Sequence, residues 1–103
     1  MEKNNEKYDF QKIKALISVL RQYPDGIWLR RLSRESKIPL STTHYYIENV
    51  LSSLIDNIGA RDSEGNFFGI RLIKLKPGIK HQLDSGTSLQ KIIKTHNIIK
   101  NSG

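Results

Sequence analysis

The sequence predicts an α+β domain, and three features carry that prediction. Apolar residues recur at helical spacing in successive segments of the first half. A turn cluster, Asp62-Ser63-Glu64-Gly65-Asn66, separates two runs of strand-forming character. Punctuation at Pro24-Asp25-Gly26, Pro39 and Pro77-Gly78 divides the elements from one another. A length of 103 residues fits one domain.

The elements follow in order. Residues 1–8 are polar and mixed in charge and read as a solvated leader, not a signal peptide. Asp9 is an N-cap candidate for a first helix with Phe10, Ile13, Leu16, Ile17 and Leu20 on one face. After the Pro24 turn, Ile27-Trp28 reads as a short extended piece, with Trp28 as a core or hairpin-packing residue. A short second helix, carrying Leu29 and Leu32, ends near Lys37 because Pro39 disfavours helix at Ile38. Ser41 is the N-cap candidate of a third helix, expected over Ser41–Asp56, with Thr43, Ile47, Val50 and Leu54 inward and Tyr46 and Leu51 beside them. A hairpin is expected over Ile58–Lys76, with Gly65 as the left-handed residue of its loop. Residues 77–86 read as a connector, and 87–103 as a last helix with a stripe of Leu89, Ile92, Ile93, His96 and Ile99.

Composition narrows the function classes. No cysteine is present, which excludes a disulfide scaffold, a thiolate zinc site and a cysteine nucleophile. No apolar run reaches the roughly 18 residues of a membrane span, so no membrane association and a cytoplasmic location are expected. The formal net charge of +7 favours a polyanionic partner. It is unevenly placed: residues 1–60 carry 9 basic and 7 acidic side chains, residues 61–103 carry 8 and 3.

The segment from Leu29 to Ile47 has a helix-turn-helix rhythm. Leu29 and Leu32 bury the first helix, small Ser33 allows a close crossing, Ile38 fills the space beneath the turn, and Ile47 locks the second helix down. Lys37 stands where a glycine is common, so it needs a left-handed backbone or a longer turn. With the hairpin that follows, residues 9–76 resemble the winged helix-turn-helix superfamily of bacterial and archaeal transcriptional regulators. The resemblance rests on Leu32-Ser33, Ile38-Pro39-Leu40-Ser41-Thr42-Thr43 and Ile47. It implies a three-helix core with a wing and a DNA-binding function without a cofactor; the last helix, an extra C-terminal one, is an addition beyond it.

Under that resemblance the third helix would enter the major groove of double-stranded DNA. Its outward face would hold Ser41, Thr42, Tyr45, Glu48 and Asn49, with His44 at the margin. Asn49 can pair with adenine and Glu48 can accept from cytosine, and the same face is equally an ordinary solvated polar surface. Arg30, Arg31, Arg34 and Lys37 of the second helix, and Arg61, Arg71 and Lys74 of the hairpin, would clamp phosphates. The C-terminal stripe would pair two copies into a homodimer suited to two half-sites, the alternative being that it packs against the first helix of its own chain.

Enzymatic readings find little purchase. His44, His81 and His96 are scattered without metal-ligand spacing, no phosphate-loop or nucleophile-elbow motif occurs, and no carboxylate cluster accompanies Tyr45 and Tyr46. Neither catalytic residues nor a metal site are expected. The competing class is a protein-interaction module in a transcription, replication or other macromolecular complex. It is favoured by the absence of Lys and Arg between Ile38 and Ala60.

Overall fold

A computed structural model describes residues 8–65 and 67–96, with the side chains of residues 60, 61 and 67–70 left aside. The first helix, α1, runs Phe10–Gln22. Asp9 caps it as expected, its Oδ1 accepting the Gln11 amide at 2.9 Å. Ile13, Leu16, Ile17 and Leu20 are buried, joined by Val19. Tyr8, placed with the leader by the sequence, packs against the core. Residues 1–7 lie outside the described residues.

Strand β1, Ile27–Trp28, leads directly into helix α2, Leu29–Ser36. The turn before β1 depends on Gly26, whose φ is 113°. A Cβ there would stand 2.7 Å from Leu72 Cγ, so glycine serves both the backbone angle and the close approach of β3. Ile27 is buried, but Trp28 is 49% exposed. Of the two roles expected for the tryptophan, the core one is corrected, since successive strand residues point to opposite faces and Ile27 takes the inner one, while Trp28 stands opposite Leu72 of the hairpin strand β3.

The α2 terminus answers the question that Lys37 raised. Lys37 is left-handed, at φ 62° and ψ 32°. Ile38 N–H donates to the Ser33 carbonyl at 3.2 Å and Lys37 N–H to that of Arg34 at 3.3 Å. These two bonds form a Schellman closure, with apolar Ile38 buried just past it. The Ile38 carbonyl then accepts from Ser33 Oγ at 2.6 Å and Thr43 Oγ1 at 3.2 Å. Two side chains, one from each flanking helix, thus hold one peptide of the turn.

Helix α3 spans Leu40–Tyr45 and passes into a π-helical turn over Tyr46–Val50, closed by Leu51 N–H donating to the Tyr46 carbonyl at 2.8 Å. The sequence placed this helix over Ser41–Asp56, and both ends need correction. Pro39, not Ser41, provides the first acceptor, taking the Thr43 amide at 2.8 Å, so Ser41 is already inside the helix. At the other end Leu51–Leu54 form a turn, and strand pairing begins at Ile55, opposite Leu75. Leu54 is buried as expected, but from that turn.

Strands β2, Ile55–Arg61, and β3, Phe67–Leu75, make the expected hairpin, three residues earlier at its start and one shorter at its end. Gly65 is at φ 87° in the loop. The antiparallel sheet has the order β1-β3-β2, so β3 is central. Ile73 pairs with Ile27 on one side and Asn57 on the other, and Leu72 with Trp28 and Ile58. Ile73 and Leu75 face the helices and are buried.

Residues 77–86, expected as a connector, contain helix α4 over Pro77–Asp84. Pro77 stands at N1, where its missing N–H costs nothing, so the same residue that stops the strand starts the helix. Ser88 caps helix α5, Leu89–Thr95, accepting the Lys91 amide at 3.1 Å. Ile92 and Ile93 are 1% and 0% exposed and belong to the same core as α1, with Leu89 packed against it. The stripe assigned to a second copy is therefore largely consumed within one chain, which corrects Ile92 and Ile93 as dimer contacts. His96 is half-buried at the end of α5, and Ile99 lies outside the described residues. No helix among the described residues is long and apolar enough to cross a membrane.

Two outcomes follow. Lys37→Gly relieves a left-handed lysine and should raise stability by about 1 kcal/mol, read as a higher urea midpoint at unchanged slope. Asp84 accepts from Lys80 Nζ at 2.7 Å and from Arg21 at 3.1 Å, tying α4 to α1. The Lys80 bond first, then the Arg21 bond, holds its carboxyl below the ordinary value. A depressed carboxylate stabilises the fold above its unfolded pKa, and that support is lost as pH falls through the folded value. Asp84→Asn should therefore flatten the acid limb of the stability–pH curve while changing it little near neutrality, because the site is exposed and screened.

Candidate nucleic-acid interface

The turn at Lys37 sets α3 beside α2 with its outer face uncovered. Ser41, His44, Tyr45 and Asn49 are exposed there, and Thr42 is half-buried. Tyr45 is 39% exposed and meets Tyr46 edge-on, at 5.8 Å between ring centres and 77° between planes. Tyr46 points inward, and its hydroxyl accepts the Asp9 amide at 2.6 Å, fixing the end of α3 to the start of α1. Burial pushes its phenol above the ordinary pKa. Asn49 Nδ2 donates to the Tyr45 carbonyl at 3.2 Å, so its amide is engaged with its own helix.

Glu48 does not join the outward face. Its carboxylate accepts from the Arg71 guanidinium, which also donates to Asn57 Oδ1 at 2.9 Å. Arg71 is 8% exposed. Both readings are thereby corrected: Glu48, though 36% exposed, is engaged in an ion pair, and Arg71 is a structural cation rather than a phosphate clamp. Strand alternation carries the signal, since Arg71, Ile73 and Leu75 share the inner face of β3. The register also slips near Arg71: Ile58 pairs with Leu72 but Ala60 with Phe68, so residues 69–71 of β3 oppose Gly59 alone.

The remaining cations divide by partner. On α2, Arg30 and Arg34 are exposed and recur at i and i+4, and exposed Lys37 follows at the left-handed C-cap. Arg31 is turned back instead: its Nε donates to Glu35 at 3.4 Å, its guanidinium donates to the Tyr23 hydroxyl at 3.1 Å, and it lies 5.0 Å from the Tyr23 ring centre. Lys74 is half-buried on the outer sheet face, with Asp56 as its cross-strand neighbour. Arg61 ends β2, and its side chain lies outside what is described. In the loop, Asp62 Oδ1 accepts the Glu64 amide at 2.9 Å, which places two acidic residues at the hairpin tip.

Sequence reasoning missed the surroundings of Trp28. A cleft of about 490 Å³ opens where β1 passes into α2. Trp28, Arg30, Arg31, Arg34, Leu40 and Arg71 line it, with Leu29 at its back. The tryptophan was legible as an alternation partner of Ile27; the convergence of four arginines was not, because it needs the α2–β3 crossing.

The Glu48–Arg71 pair has a measurable consequence. Glu48→Ala leaves a mostly buried guanidinium without its carboxylate and should cost about 1–3 kcal/mol in urea unfolding. Arg71→Met should cost less than Glu48→Ala, since the carboxylate it leaves behind is 36% exposed and stays solvated, whereas the guanidinium is not.

Compared with protein-family models, curated proteins and solved structures, the chain matches none.

Proposed function

We propose that this chain is a winged helix-turn-helix DNA-binding protein, a small transcriptional regulator that lays α3 along duplex DNA and holds the adjacent phosphates with α2. The element order, the β1-β3-β2 sheet and the Schellman turn between α2 and α3 support the winged-helix reading. One observation carries the function: Arg30 and Arg34 on α2 and Lys37 at its C-terminal cap are exposed cations on the helix that packs beside α3, whose Ser41, His44 and Tyr45 are uncovered. Positioning cations beside a polar helix is the division of labour between phosphate and base contacts in this class of interface. The base-reading set is then Ser41, Thr42, His44, Tyr45 and Asn49, the last after giving up its bond to Tyr45.

A specific observation also favours the protein-interaction reading. Trp28, Leu72 and Ile58 are cross-strand neighbours on the outer sheet face, and Trp28 and Ile58 are each 49% exposed. Salt separates the two readings. Binding to a random duplex pool, followed by anisotropy between about 50 and 200 mM salt, should weaken with a log–log slope of about −0.9 per neutralised phosphate. Arg34→Ala should reduce that slope by about one for every sequence, whereas Arg71→Met should leave it unchanged. Absence of duplex binding at the lower salt overturns the DNA reading.

A further inference from the structure

We propose that the cleft between β1 and α2 is a nucleotide site, taking an aromatic base against Trp28 and its phosphate on Arg30 and Arg34. The inference goes beyond duplex binding and does not depend on it. A charge balance identifies the phosphate. Of the four arginines lining the cleft, Arg31 is paired with Glu35 and Arg71 with Glu48. Among the described residues, no acidic side chain pairs with Arg30 or Arg34. Two uncompensated guanidinium groups match a phosphomonoester, which carries roughly −1.5 to −2 at neutral pH.

The apolar part of the cleft identifies the rest of the ligand. Trp28 offers a large aromatic surface at 49% exposure, and Leu29 and Leu40 are half-buried beside it. A base gains roughly 1–3 kcal/mol by stacking on such a ring. A volume of about 490 Å³ lies within the range of small-ligand sites and exceeds what an inorganic anion needs. A nucleotide reaches such a cleft either free, with its phosphomonoester, or as an unpaired unit of a nucleic-acid strand, where the two flanking phosphodiesters, each singly charged, meet the same two guanidinium groups.

Trp28 is the only tryptophan in the chain, so its fluorescence reports this cleft alone. The full chain is titrated with adenosine 5′-monophosphate, adenosine, inorganic phosphate, phenyl phosphate, a short single-stranded oligoadenylate and a blunt duplex. Adenosine monophosphate should quench saturably, adenosine should need about tenfold more, and phosphate should compete without quenching. Arg30→Ala and Arg34→Ala, both at exposed positions, should each weaken the nucleotide about tenfold. Trp28→Leu, followed by calorimetry, should also lose about tenfold. An oligonucleotide that acts at about a hundredfold lower concentration assigns the site to a strand, and equal strength assigns it to the free nucleotide; either supports the proposal. No saturable quenching by nucleotide or strand, quenching undiminished in both arginine variants, or tighter binding of phenyl phosphate overturns it. Duplex binding without quenching sinks the cleft proposal alone, and quenching without duplex binding sinks the DNA reading alone.

Discussion

A guanidinium withdrawn from water must bring its counter-charge with it, and this one requirement organises the second half of the fold. Arg71 lies on the inner face of the central strand, among positions otherwise held by Ile73 and Leu75. Desolvating it without a partner would cost several kcal/mol. Glu48 comes from the π-helical turn and Asn57 from β2, so a single side chain joins the end of α3 to both strands of the hairpin. The pair restricts where the hairpin can sit relative to α3. A neutral residue at position 71 would pack there with less directional demand, and the hairpin would be held by apolar contacts alone.

The same pair decides which side chains remain available outside. Drawing Glu48 inward removes the one carboxylate that would have stood among Ser41, Tyr45 and Asn49. The exposed surface of α3 is left without an uncommitted carboxylate, and it adjoins a cationic α2. The acidic residues nearest to those cations are already committed, Glu35 to Arg31 and Glu48 to Arg71. The surface field is therefore set less by the overall excess of basic residues than by which of them the fold leaves without a partner. Among the described residues Arg30, Arg34 and Lys37 are of that kind, while Arg21 and Lys80 share Asp84.

Local chemistry was legible in the sequence wherever it is decided by neighbours along the chain. The Asp9 cap, the α1 stripe, the end of α2 at Ser36, the left-handed Lys37 and the Gly65 turn all depend on residues within one helical turn. What was not legible depends on partners far away. The end of α3 is fixed by the pairing of Ile55 with Leu75, which competes with continued helix over residues that fit either state. Residues 77–86 lack a long apolar period, yet Pro77 at N1 and buried Ile79 suffice for a two-turn helix once a core is there to receive it. The stripe on α5 was read correctly as apolar, but periodicity cannot distinguish a neighbour in the same chain from one in another.

Trp28 shows how an edge strand of two residues can serve both the fold and the surface. Ile27 anchors the strand to the core, and Trp28, one residue on, must face outward at the point where the chain turns into α2. An exposed tryptophan at a strand–helix junction is costly to solubility and contributes little to the core, so its surroundings matter more than its burial. Those surroundings are not uniformly apolar. Leu72 and Ile58 continue the row across the sheet, whereas Arg30 and Arg34 rise from the helix on the other side. A purely apolar partner would cover the row and strand the two guanidinium groups, with a desolvation penalty on each. A partner that combines a flat ring with negative charge satisfies both sides of the junction at once, and this asymmetry separates the Trp28 cleft from an ordinary sticky sheet face.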